Sequence, residues 1–145
     1  MKYIKLLFLT TFSSFLISAE FEVKMLNQGP GGIMVFDPPV LKVSKGDTVH
    51  FKSIDMAHNS ESIGDMMPEG GNSWSGGMSQ DVSVTLNTEG VYVYRCTPHL
   101  MMAMVGVIQV GNGNNLDQVK LKAETLKNSF VTNKERLTQY LSELN

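Results

Sequence analysis

Cys96, His99 and Met104 bring a thiolate, an imidazole and a thioether into nine residues of chain, at Cys-x2-His-x4-Met spacing. Those ligand types suit copper better than zinc, calcium or magnesium. Soft sulfur ligands favour copper, and two histidines with one cysteine in a plane and a distant methionine on the axis form a site for moving single electrons. The loop supplies three of those four ligands. The chain holds three histidines and a single cysteine, so the missing imidazole is His50 or His58.

His50 sits between Val49 and Phe51 in an alternating stretch, sharing the outward face with Thr48 and Lys52. That placement reads as an ordinary surface side chain. His58 lies outside the alternation, in Met56-Ala57-His58-Asn59, where a loop at a strand end can aim it. From the residues alone, a ligand role and a plain surface role both stay open for it. A site whose four positions are all filled by protein keeps no place for substrate, unlike catalytic metal sites. The chemistry expected is that of a carrier, not an enzyme.

The elements that must position these residues follow a leader. Residues 1–19 read as a secretory signal peptide: Lys2 and Lys5, then a mostly apolar Leu6 to Ser18, then Ala19 as a small residue for cleavage. The apolar run is too short for a membrane span. Export makes a lone cysteine worth explaining, since exported proteins usually pair their cysteines, and a metal thiolate is the stronger explanation. Removing Lys2 and Lys5 leaves 10 basic against 14 acidic residues, a net charge of −4. Nothing in that balance suggests nucleic-acid binding.

Residues 20–111 read as short strands separated by turns. Phe21 to Leu26 alternates apolar and polar, and further strands are expected at Ile33–Phe36, Val40–Val43, Thr48–Lys52, Asp81–Leu86, Val91–Arg95 and Val105–Val110. Asn59 to Gly77, rich in Gly, Ser and Glu, reads as a long loop with one helical turn. Seven or eight strands of this kind argue for an antiparallel sandwich, mainly β. Residues 112–145 change period: Leu116, Val119, Ala123 and Leu126 fall at helical spacing, as do Leu137, Tyr140, Leu141 and Leu144. Thr132 with Glu135 forms a capping-box pattern. Two C-terminal α-helices are expected as an extension of the same domain.

The stretches Cys96-Thr97-Pro98-His99 with Met104, His58-Asn59-Ser60-Glu61-Ser62-Ile63, Met34-Val35-Phe36, Gly46-Asp47-Thr48-Val49, Pro68-Glu69-Gly70 and Asn115-Leu116-Asp117-Gln118 resemble those of the pseudoazurins, small type-1 blue-copper electron carriers. Plastocyanins share the loop spacing but lack the helical pair. The resemblance implies a cupredoxin-like Greek-key sandwich and one copper ion held by His58, Cys96, His99 and Met104. It also implies that the Asn59 backbone N–H bonds the Cys96 sulfur, that the Asn59 side chain ties to Thr97, that Pro98 removes a competing donor, and that Met34 packs near the His99 ring. A periplasmic monomer is implied, passing electrons from a cytochrome or similar donor to a terminal reductase such as copper nitrite reductase, free of membrane once the leader is cleaved.

Met25 and Met34 lie in strands and read as core, whereas Leu100, Met101 and Met102 read as an apolar patch around an exposed His99 edge. Pseudoazurins ring that patch with lysines. The corresponding positions here are Gln28, Met56, Ser75 and Arg95, so a single cation remains and docking is expected to rest on apolar contact. Copper storage or delivery is the alternative that the surplus methionines raise.

Overall fold

The computed structural model describes residues 18–145; the expected leader therefore lies almost wholly outside the described residues. Alternation becomes strand wherever one face finds a core. In β1 (Glu20–Gly29), Val23 and Met25 are buried while Glu22 and Lys24 meet water. β2 (Gly32–Asp37) returns antiparallel, setting Phe36 opposite Met25. β3 (Val40–Val43), β4 (Thr48–Ser53), β5 (Glu61–Ser62), β6 (Val82–Thr85), β7 (Gly90–Arg95) and β8 (Val105–Val110) follow. They form two four-stranded sheets, in the orders β2-β1-β4-β6 and β3-β8-β7-β5. Phe36, Phe51, Trp74, Tyr92, Tyr94 and Ile108 fill the space between them.

The mainly β sandwich of eight strands with two C-terminal helices is as expected, with three corrections. The sheets are mixed rather than antiparallel, because β1 pairs parallel with β4 and β3 parallel with β8. Local turn signals report hairpins between successive strands; these two pairs join strands distant in sequence. The second correction concerns Asn59 to Gly77, which contains no helical turn. Its backbone is committed elsewhere: β5 pairs with β7, Glu61 opposite Arg95, and Glu61 also bridges to Ser75. Trp74 closes the loop, its backbone N–H donating to Ser62 Oγ at 3.0 Å and its indole Nε1–H to Ser60 Oγ at 2.9 Å.

The C-terminal helices cover the outer face of the second sheet. α1 (Leu116–Leu126) buries Leu116, Val119 and Ala123, and α2 (Arg136–Ser142) buries Arg136, Leu137 and Leu141. They pack on Val91, Val93, Val105 and Val107. β8 is consequently buried along its whole length, the condition under which strands lose polar alternation. The third correction is the capping box. Glu135 occupies the N-cap of α2 without a side-chain capping bond. Asn133 turns the chain at φ 53°, and the Thr132 N–H goes instead to Met101 O at 3.3 Å.

β7 and β8 carry the chain into and out of the Cys96–Met104 loop, so their pairing sets the loop's base. Tyr94 lies opposite Gly106, and a Cβ on Gly106 would stand 2.3 Å from the Tyr94 ring. That ring is fully buried, with Phe36 at 4.7 Å and Phe51 at 4.9 Å between centroids, so it has nowhere to retreat. Gly106→Ala is therefore expected to destabilise the metal-free protein by about 1–3 kcal/mol through overpacking. Urea unfolding checks this, and a loss below about 0.5 kcal/mol would show that the ring moves aside freely.

Candidate metal centre

The β7–β8 register places Arg95 opposite Val105. The next residues outward, Cys96 and Met104, then face each other, and the Cys96 N–H donates to Met104 O at 2.9 Å. Between them the chain makes one 3-10 turn, Leu100–Met102, and reverses at Ala103 with φ 56°. The Met104 N–H donates to His99 O at 3.2 Å, which pulls the histidine back over the hairpin. His58 arrives from the other sheet, on the segment between β4 and β5. Ala57 at φ 66° swings it inward, and Ser79 clamps both flanks: the Ala57 N–H donates to Ser79 Oγ at 2.8 Å, and the Ser79 N–H to His58 O at 2.7 Å.

Three candidate ligand atoms converge as a result. His58 Nδ1 lies 3.1 Å from His99 Nδ1, while Cys96 Sγ lies 3.4 Å from His99 Nδ1 and 3.7 Å from His58 Nδ1. His58, Cys96 and Met104 are fully buried, and His99 is half-buried. His50 is elsewhere, on the outward face as expected, with Nδ1 at 2.7 Å from Ser83 Oγ and Nε2 at 3.4 Å from Glu20. Of the two strand methionines, Met25 is core, whereas Met34 is half-buried at φ 48°. Leu100 turns inward onto the helical cluster, leaving Met101 as the exposed apolar residue of the turn.

Surrounding groups hold the donors in place. His58 Nε2–H donates to Asn27 Oδ1 at 3.0 Å, which leaves the Nδ1 lone pair aimed at the other two donors. Asn59 and Thr97 are tied twice: the Thr97 N–H donates to Asn59 Oδ1 at 2.8 Å, and Asn59 Nδ2 donates to Thr97 Oγ1 at 3.2 Å. Thr97 Oγ1 in turn donates to Glu61 Oε2 at 2.8 Å, and Arg95 closes the chain on Glu61 Oε1 at 3.3 Å. Burial raises the Cys96 thiol pKa, an effect eased by the backbone N–H groups of Asn59 and His99. Burial likewise lowers the His58 pKa, with the neighbouring His99 adding to the shift and Asp55 opposing it.

The donor set fits a soft cation. Metal–imidazole bonds of about 2.0–2.1 Å and metal–thiolate bonds of about 2.3 Å allow ligand atoms up to roughly 4.4 Å apart around one ion. All three observed separations, 3.1, 3.4 and 3.7 Å, fall inside that limit. An imidazole kept neutral by burial is ready to coordinate, and a thiol pushed upward needs a metal to stay ionised.

Several residues of this site escaped the sequence reading. Asn27 stands one residue beyond the expected end of β1 and carries only a weak signal, an amide where the alternation stops. Glu61 was read within a loop, yet it links Thr97 to Arg95. Arg136, whose Nη1 reaches Met102 O at 3.4 Å and Ala103 O at 3.1 Å in the same loop, has a clearer signal that went unread, a cation within the apolar stripe of the last helix.

Comparison with known proteins places this geometry. Residues 23–111 match the model of the copper-binding proteins of the plastocyanin/azurin family. The pseudoazurin of Methylorubrum extorquens is 43% identical over 102 residues, covering 70% of this chain and 69% of that protein. The pseudoazurin of Paracoccus pantotrophus is 40% identical, with coverage of 71% and 72%. Among solved structures, native pseudoazurin from Hyphomicrobium denitrificans is 38% identical, covers 88% of this chain and 99% of its own, and superposes with a TM-score of 0.75. The chain belongs to the pseudoazurins, electron-transfer copper proteins within the plastocyanin/azurin family.

Proposed function

We propose that His58, Cys96, His99 and Met104 together hold one type-1 copper ion, and that the protein carries single electrons in the periplasm after removal of residues 1–19. The observation that supports this most directly is the convergence of two imidazole nitrogens and a thiol sulfur within 4.8 Å of one another, two of the three residues buried and His99 half-buried. Bound copper supplies a one-electron Cu(I)/Cu(II) couple, for which the thiolate and thioether favour Cu(I) and the imidazoles serve both states. The protein's part is to keep the donors still. Asn27 orients His58, the Asn59–Thr97–Glu61–Arg95 chain holds the base of the loop, and two sheets supply the anchorage. With all four positions taken by side chains, no coordination site remains for a substrate, and the protein is a carrier rather than an enzyme.

His99 is the half-buried ligand and the natural exit for the electron. The surface supports this. Of the exposed large hydrophobics among the described residues, Met101 is in the ligand loop, Ile54 and Met56 lead into His58, and Met78 adjoins the Ser79 clamp. Val131 donates its N–H to Met101 O at 2.7 Å. Met101 with Val131 beside it offers apolar contact at this loop, which suits transient docking to redox proteins: a cytochrome or similar donor, and a terminal reductase such as a copper nitrite reductase. Arg95, the one cation left of the family's ring, is already paired with Glu61. Copper storage or delivery would need exposed, labile ligands, whereas His58, Cys96 and Met104 are fully buried.

Three outcomes follow. The purified, copper-loaded protein should show an intense blue or green absorption from thiolate-to-Cu(II) charge transfer, abolished in Cys96→Ser, which should remain folded. A colourless wild-type protein at full copper occupancy would overturn the assignment.

The second outcome concerns pH. The Cys96 thiol lies above its ordinary 9.0 and is protonated at neutral pH, whereas His58 lies below its ordinary 6.5 and is neutral there. Copper uptake must then release the thiol proton, so Cu(I) affinity should fall about tenfold for each unit of pH lost from about pH 8 to 7. Chelator competition measures this, and a flat profile would show a thiol already ionised.

The third outcome is a weak salt effect. With little long-range attraction to screen, electron transfer to a partner reductase should change less than about threefold from about 10 mM to 150 mM ionic strength. A steep fall would expose a cationic docking face.

A further inference from the structure

Arg136 is buried to 7% exposure, and no carboxylate lies within ion-pair distance of it among the described residues. Its neighbour Glu135 pairs with Lys127 at 2.5 Å instead. A buried guanidinium without a counter-ion is costly unless its donors are met. Here backbone carbonyls meet them, from two separate loops. Nη1 lies 3.1 Å from Ala103 O and 3.4 Å from Met102 O, both in the turn that joins His99 to Met104, and 3.0 Å from Met34 O. Nη2 lies 3.3 Å from both Gly31 O, in the turn from β1 to β2, and Ile33 O, at the start of β2.

The guanidinium joins carbonyls at the end of the Cys96–Met104 turn, where Ala103 O also accepts from the Val105 N–H at 3.0 Å. Ala103 lies at φ 56° after a 3-10 turn, and the last carbonyls of such a turn have no partner within it. The residue that follows is Met104, and His99 opens the same turn. The segment before α2 adds to the hold, with the Val131 N–H on Met101 O at 2.7 Å and Asn133 Nδ2 on Met102 O at 3.2 Å. A rigid, forked cation is what can bridge two loops at once; a lysine offers one point charge.

We propose that Arg136 is the positioning residue of the copper centre: it ties the ligand loop to the β1–β2 turn, and places an uncompensated positive charge behind the Met104 end of the site. The inference rests on the ligand assignment above. Two effects are separable. The fork fixes where His99 and Met104 stand, and so governs how tightly copper is held. The charge favours the less positive metal state, and so raises the reduction potential.

The test compares the wild-type protein with Arg136→Met and Arg136→Lys, by competition with a Cu(I) chelator, by visible absorption of the Cu(II) form, by reduction potential, and by thermal unfolding of the metal-free protein. Arg136→Met should lower copper affinity about 10–100-fold, the range for lost outer-sphere support, alter the ratio of the visible bands and lower the potential. Arg136→Lys should lose affinity too, but hold a potential nearer wild type. If Arg136→Met unfolds at lower temperature when metal-free yet keeps wild-type affinity, spectrum and potential, Arg136 is a fold anchor only and the proposal is overturned. Should Arg136→Met fail to fold, Arg136→Lys decides: wild-type affinity and spectrum there overturn the proposal, and a fall in affinity upholds it. A wild-type protein that takes up no copper would remove the ligand assignment and this inference together, which is distinguishable from variants that behave like a copper-binding wild type.

Discussion

Everything near the loop end of this sandwich depends on keeping two imidazole nitrogens and a sulfur within 3.1 to 3.7 Å of one another, out of water, with lone pairs facing inward. Left alone, such groups would turn away from each other, take up protons or seek solvent. Their arrangement persists because each is tied from outside the cluster. Asn27 takes the far nitrogen of His58, Ser79 takes the backbone on either side of it, and Cys96 and Met104 are joined across the hairpin base. Hydrogen bonds from outside the cluster thus fix where these donor atoms stand, and a fixed frame is what a site that moves little on changing charge requires.

The frame explains the asymmetry between the two histidines. His58 comes from the interior of the sandwich, between two strands of different sheets, and its pKa is held down by burial. His99 belongs to a tight turn at the rim and keeps one edge toward solvent. In the proposed site the two would serve different ends, His58 anchoring the metal and His99 coupling it to a partner. Met101, exposed in the same turn as His99, offers an apolar contact there, and the acidic surplus of residues 20–111 provides little of the cationic steering that lysines would give.

Much of this was legible in the sequence, and what was missed shares a cause. The bounds of β3 and β8 match the expected ones residue for residue, because turn residues and β-branched runs are local signals. The sequence also placed Cys96, His99 and Met104 in one loop between two strands, since they lie within nine residues of chain, and the structure has that loop between β7 and β8. The parallel pairings of β1 with β4 and β3 with β8 were not legible, because they arise from strands brought together only by the fold. β5 is two residues long and exists through its pairing with β7, not through its own propensity. Thr132 and Glu135 matched a capping pattern, but the Met101 carbonyl, distant in sequence, claimed the Thr132 N–H. Asn27 and Arg136 belong to the same class, with ordinary local neighbours and partners 31 to 105 residues away.

The two C-terminal helices then take on a second use beyond covering a sheet. Burying Val91, Val93, Val105 and Val107 makes β7 and β8 central strands with apolar packing on both faces, stiffening the hairpin that carries Cys96 and Met104. The segment between the helices also reaches the far side of the ligand loop, through Val131 and Asn133 to Met101 and Met102. A sandwich without these helices must brace the same loop with its own strands and turns. Here the bracing comes from Val131, Asn133 and Arg136, so the segment that seats α2 against the sheet also forms the rear wall of the Cys96–Met104 loop.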